Sequence, residues 1–140
     1  VEGITKIERY HLMLSQVLKL LARCDVVYVH LKGPDEPAHD KDLEGKIKAI
    51  ELIDSHFFRG LLEKVSLEET SLLVTSDHAT PYLLGAHTDD PVVVMLYNPK
   101  EEGDGLPKFT ERMGAKGSLG FIKHGWELLP RVLRILKMIK

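Results

Sequence analysis

Val26-Val27-Tyr28-Val29-His30-Leu31, followed at once by Lys32-Gly33-Pro34-Asp35-Glu36-Pro37-Ala38-His39-Asp40, is a short apolar run closed by a Gly-Pro turn and then crowded with acids and one histidine. A β-branched run of this length between breakers reads as a buried strand of a parallel sheet, which is covered on both faces and so does not alternate. Gly33, Pro34 and Pro37 then predict an irregular loop over Lys32–Asp42. So polar a loop at the end of so apolar a strand points to a functional edge.

Upstream, Ile7, Tyr10, Leu14, Val17, Leu18 and Leu21 recur at helical spacing among charged residues, predicting a helix over Thr5–Arg23. Downstream, Asp42 is a plausible N-cap for a long helix over Leu43–Val65, with Ile47, Ile50, Leu52 or Ile53, Phe57, Leu61 and Leu62 as its inward stripe. Ser71–Thr75 reads as a second buried strand, Ser76–Asp90 as a loop, and Val92–Tyr97 as a third strand opened by Pro91. An edge strand is expected near Phe109, and a closing amphipathic helix over Trp126–Met138. This alternation predicts an α/β fold in a single domain, residues 1–140, with a mainly parallel sheet and helices on both faces.

Lysine and arginine number 19 against 21 acids, a formal charge of −2, so there is no global basic footprint for nucleic acid or an anionic membrane surface. No stretch approaches the ~20 apolar residues of a bilayer span. The single cysteine, Cys24, excludes an internal disulfide and is expected to be buried at a helix end. Together these features predict a cytoplasmic protein with neither nucleic-acid nor membrane partners. The chain opens on Val1 rather than methionine, from which a longer parent is expected.

In an open parallel sheet, ligand groups collect on loops leaving the carboxyl ends of strands. Asp35 and His39 follow the first predicted strand, Asp77 and His78 follow the second, and His87 lies further along the same loop. Singly, each is an ordinary turn aspartate or surface histidine. Jointly, they form a mixed nitrogen and oxygen set that suits Mn²⁺ or Zn²⁺ better than Ca²⁺ or an all-oxygen Mg²⁺ site. Five protein ligands exceed what one catalytic ion takes while keeping an open position, so two ions are expected.

The stretches Gly33-Pro34-Asp35-Glu36-Pro37-Ala38-His39-Asp40, Thr75-Ser76-Asp77-His78-Ala79-Thr80-Pro81 and Gly85-Ala86-His87-Thr88-Asp89-Asp90-Pro91-Val92 resemble the alkaline phosphatase superfamily. Within it they are most similar to the archaeal-type 2,3-bisphosphoglycerate-independent phosphoglycerate mutases. The resemblance runs along nearly the whole chain, through Ala115-Lys116-Gly117-Ser118-Leu119-Gly120. It departs from the family's habit at Ala38 and Ala79, where glycine is frequent, and at Val93, where proline is.

The resemblance implies that the chain is the C-terminal part of a metal-binding catalytic domain interconverting 3-phosphoglycerate and 2-phosphoglycerate through a phosphoserine. Asp35, His39 and His87 would hold one divalent ion and Asp77 with His78 the other, with Mn²⁺ first and Zn²⁺, Mg²⁺ or Co²⁺ as alternatives. The nucleophilic serine has no counterpart here, and Ser76 is discounted for that role. Lys32, Lys116 and Ser118 read as solvated loop residues, and His11, His56 and His124 as structural or surface histidines. Glu36 and Asp40, and less strongly Asp89 and Asp90, are candidates to support the ligands. The rival readings are another phosphohydrolase or phosphopentomutase of the superfamily, or a non-catalytic metal-binding module. A sheet lacking its first strands would expose an edge, so self-association is also expected.

Overall fold

The computed structural model describes residues 4–139, so the opening Val1 lies outside the described residues. Two compact units divide the chain: the first runs through Ser66 and takes in Thr80–Thr88, and the second holds Leu67–Ala79 and the chain from Asp89 onward.

In the first unit, α1 spans Lys6–Leu21. It starts where a capping box forms: the Thr5 hydroxyl oxygen accepts from the Glu8 N–H, and the Glu8 carboxylate accepts from the Thr5 N–H at 2.8 Å. Tyr10, Leu14 and Val17 form its buried stripe. Tyr10 is a large side chain with a polar tip, and its hydroxyl donates to the Lys32 carbonyl at 2.8 Å. Burial pushes its phenol above the ordinary tyrosine value, opposed by the nearby Arg9 charge.

The Lys32–Asp42 segment is not wholly irregular, because Asp35–His39 forms one helical turn, α2. Pro37 is tolerated in it because the N–H groups of a first turn have no intrahelical acceptor. Lys41, at φ 57°, closes the turn, with the Asp42 N–H reaching back to the Pro37 carbonyl at 2.8 Å. Ala38 is completely buried, so the position where the family favours glycine demands a small residue.

Asp42 caps α3, Leu43–Ile53, by accepting from the Gly45 N–H at 2.9 Å. The long predicted helix is then interrupted by a π turn, Asp54–Phe58, before α4, Arg59–Leu62. The expected inward stripe holds at Phe57 and Leu61, which are buried, and is corrected at Ile47, Ile50 and Leu62, which are 48%, 51% and 46% exposed, with Ala49 buried instead. Ala49, Ile53, Phe57 and Leu61 are spaced by four, and each such step overshoots an α turn by about 40°. The wider π turn takes up that drift and keeps the row on one face.

The predicted strand Val26–Leu31 does not form, and no sheet ladder runs along it. Val26 is 53% and Tyr28 85% exposed, the opposite of a strand buried on both faces. Cys24, expected to be buried, is exposed as well. The apolar run is real, but a strand also needs a neighbour to exchange hydrogen bonds with.

In the second unit, β1, Leu72–Thr75, pairs with β2, Val94–Tyr97, in register Leu72↔Tyr97 through Thr75↔Val94. This pairing is antiparallel and is the whole sheet among the described residues, so the expected mainly parallel sheet is not found. Parallel neighbours need a crossover, usually a helix, and no helix lies between Ser76 and Val93. The Thr75 hydroxyl donates to the Val93 carbonyl at 3.1 Å, and the Tyr97 hydroxyl to the Leu67 carbonyl at 3.0 Å. No strand forms near Phe109; instead Thr110 caps a short α5, Glu111–Gly114. The closing helix, α6, covers Gly125–Ile135, with Pro130 inside it and Lys137 at φ 58° just beyond its end.

Candidate metal centre

The Asp-xxx-His spacing works because α2 is helical: residues four apart lie on the same face, one turn above the other. Asp35 Oδ1 and His39 Nε2 are 3.4 Å apart. His87 arrives from Thr80–Thr88, the segment that belongs to the same unit. Its Nε2 lies 3.1 Å from His39 Nε2 and 3.5 Å from Asp35 Oδ1. Three donor atoms thus form a nearly equilateral triangle. Donors of a tetrahedral ion bound at about 2.0–2.1 Å stand about 3.3–3.4 Å apart, so the triangle fits three ligands of one transition-metal ion.

The imidazole of His39 is oriented for this task. Its Nδ1 is 2.9 Å from the Gly85 carbonyl, which can only accept, so Nδ1 carries a proton, and in the neutral ring Nε2 then turns a lone pair toward the triangle. Metal-binding histidines commonly have this second hydrogen bond, which selects the tautomer and steadies the ring. The three side chains are partly exposed, leaving a solvent-accessible side for a further ligand.

Asp35, His39 and His87 are the three-residue cluster with metal-ligand geometry among the described residues. Asp77 and His78 are not part of it; they belong to the second unit. There the Asp77 carboxylate accepts from the His78 N–H at 3.2 Å, and its other oxygen lies 3.7 Å from His78 Nε2. Glu36, expected to support the ligands, instead pairs with Lys6 at 3.6 Å on the surface. Asp89 and Asp90 fall in the second unit. The discounted residues have structural partners. The Ser118 N–H donates to Asp104 at 2.9 Å, the rings of His11 and His56 pack edge to face, and His124 stacks on Trp126.

A family model described as Metalloenzyme superfamily matches residues 3–125. The chain belongs to the Metalloenzyme superfamily. Membership of the Metalloenzyme superfamily implies the use of divalent metal, in agreement with the donor triangle. Relatives named 2,3-bisphosphoglycerate-independent phosphoglycerate mutase include one from Aeropyrum pernix, 44% identical over 97% of this chain and 32% of its own length. Another, from Pyrobaculum arsenaticum, is 38% identical over 91% of this chain and 30% of its own length. A solved structure, the PH0037 protein from Pyrococcus horikoshii, superposes with a TM-score of 0.88 at 29% identity, over 99% of this chain and 42% of that one. The chain therefore spans about a third of the length of the curated relatives it matches.

Sequence reasoning gave no role to two groups beside the triangle. Gly85 supplies the carbonyl for His39, and Thr80, a buried residue, donates its hydroxyl to Asp35 Oδ1 at 2.8 Å. Both lie inside the motif stretches, but their roles come from how the loop folds back, which spacing does not encode.

Proposed function

We propose that this chain is the C-terminal part of the catalytic domain of a cofactor-independent phosphoglycerate mutase, and that it furnishes ligands to a two-ion centre. The observation that carries the reading is the triangle of Asp35, His39 and His87, with the His39 tautomer set by Gly85. The names of the relatives support the substrate class.

In this reading Asp35, His39 and His87 hold one divalent ion, Mn²⁺ before Zn²⁺, Mg²⁺ or Co²⁺, and Asp77 with His78 contribute to a second. Such ions, when bound, neutralise charge on a phosphoryl group transferred in line and lower the pKa of the attacking hydroxyl. The chain's own part is to hold the donors at fixed separation and to keep the His39 Nδ1–H donating to the Gly85 carbonyl. The whole protein would pass the phosphoryl group of 3-phosphoglycerate to a serine and return it to the other hydroxyl. Since that serine has no counterpart here, the 140-residue chain by itself is expected to show no isomerisation.

Calorimetric titration with Mn²⁺ tests the centre. The chain is expected to bind, and Asp35→Asn or His87→Ala to weaken binding by about tenfold or more. Undiminished affinity in both variants would remove the reading. A one-ion, non-catalytic module is the second reading, favoured because the described residues hold a single three-donor cluster. It predicts one equivalent of Mn²⁺ and no effect of Asp77→Asn, where the mutase reading predicts a weakened second equivalent. Assaying a parent-length enzyme on 3-phosphoglycerate, ribose 1-phosphate and an artificial phosphate ester separates mutase from phosphopentomutase and phosphohydrolase.

A further inference from the structure

We infer that Thr80 is a positioning residue of the metal centre, and that Lys46 in turn holds Thr80 in place; this rests on the metal reading above. Thr80 is the buried polar side chain of the described residues, 6% exposed. Its hydroxyl donates at 2.8 Å to Asp35 Oδ1. That is the same oxygen that stands 3.4 Å from His39 Nε2 and 3.5 Å from His87 Nε2. Asp35 sits at the first position of a one-turn helix, and the terminal torsion of an aspartate has an intrinsically broad rotational freedom. A charge-assisted bond from a buried donor removes that freedom and aims the remaining lone pairs of Oδ1 into the triangle.

The donor is itself anchored. The Thr80 carbonyl accepts from Lys46 Nζ at 2.7 Å, in a partly buried contact across 34 residues of sequence. Lys46 lies on α3, one residue after the glycine whose N–H is capped by Asp42. A relay therefore runs from α3 through the main chain of the Thr80 loop to the carboxylate on α2. The buried member is the Thr80 donor, while the Asp35 side chain is itself partly exposed, so water can replace a lost hydroxyl but not the fixed direction that a buried, anchored donor imposes on Oδ1.

The test is calorimetric titration of the 140-residue chain with Mn²⁺, paired with the melting temperature of each metal-free variant. Thr80→Val keeps the branched shape but lacks the hydroxyl, and is expected to weaken Mn²⁺ binding about 10–100-fold; Thr80→Ser, which keeps the donor, should stay within about threefold of the unaltered chain. Lys46→Met is expected to weaken binding by a smaller factor and to add nothing on top of Thr80→Val. A purely structural Thr80 gives a different pattern: Thr80→Val lowers the metal-free melting temperature while Mn²⁺ affinity is unchanged, and this overturns the inference alone. Absence of Mn²⁺ binding by the unaltered chain overturns both this inference and the metal reading. Should Thr80→Val fail to fold, Lys46→Met decides, and unchanged affinity there overturns the relay.

Discussion

Gly85 adopts φ 67°, a region that costs an L side chain roughly 1–2 kcal/mol. A Cβ at this position would come within 2.9 Å of the His39 carbonyl oxygen and 3.1 Å of the Lys41 side chain. The absent side chain is therefore what lets the loop approach α2 closely enough for its carbonyl to meet His39 Nδ1. Gly85→Ala is expected to destabilise the fold by about 1–3 kcal/mol and to weaken Mn²⁺ binding by about tenfold, read by urea unfolding and by calorimetry. Unchanged metal affinity would separate the Gly85 carbonyl from the centre. At this scale Asp35, His39 and His87 were legible as candidate ligands. Asp35 and His39 stand four apart in a segment read as a loop, and it is the helical turn found there that puts them on one face, while His87 is a histidine in a motif. Gly85 and Thr80 were not, because their partners lie 46 and 45 residues away and only the folded loop brings them together.

Helix ends are the elements most dependent on local chemistry, and α1 offers a pH test. The Thr5 backbone N–H, and after it the Thr5 hydroxyl, hold the Glu8 carboxyl below the usual glutamate range. The unfolded chain lacks these bonds. The depressed group therefore stabilises the fold at pH above its ordinary pKa, and that stability is lost as pH falls through the lower folded value. The difference in unfolding free energy between the unaltered chain and Glu8→Ala is expected to be largest at neutral pH and to shrink in acid. A difference independent of pH would dissociate Glu8 from the cap. Elements with a strong helical period were read well: α1, α3 with its Asp42 cap, and α6 lie where the pattern put them. The π turn was not legible, because the expected stripe fits an unbroken helix, whereas packing kept Phe57 and Leu61 and took Ala49 over Ile47 and Ile50.

At the scale of the whole molecule, the Val26–Leu31 run is the least reconciled feature, apolar in sequence yet carrying no ladder and exposing Val26 and Tyr28. An unpaired apolar run whose side chains open to solvent favours association with another chain. The isolated chain is therefore expected to sediment as a dimer or larger assembly at micromolar concentration, and a monodisperse monomer would contradict this. Among the described residues no helix is long and apolar enough to cross a membrane. The sequence by itself determined the helices α1, α3 and α6, the Asp42 cap, the family and the residue types of the candidate ligands. These follow from local periodicity and from residue types at short spacing, which the chain carries wherever it folds. Tertiary structure decided the antiparallel pairing of β1 with β2, the absence of a strand at Val26–Leu31, and the closing of Asp35, His39 and His87 into one triangle. Each of these is a relation between segments distant in sequence, and its energy exists only once the chain has brought the partners together.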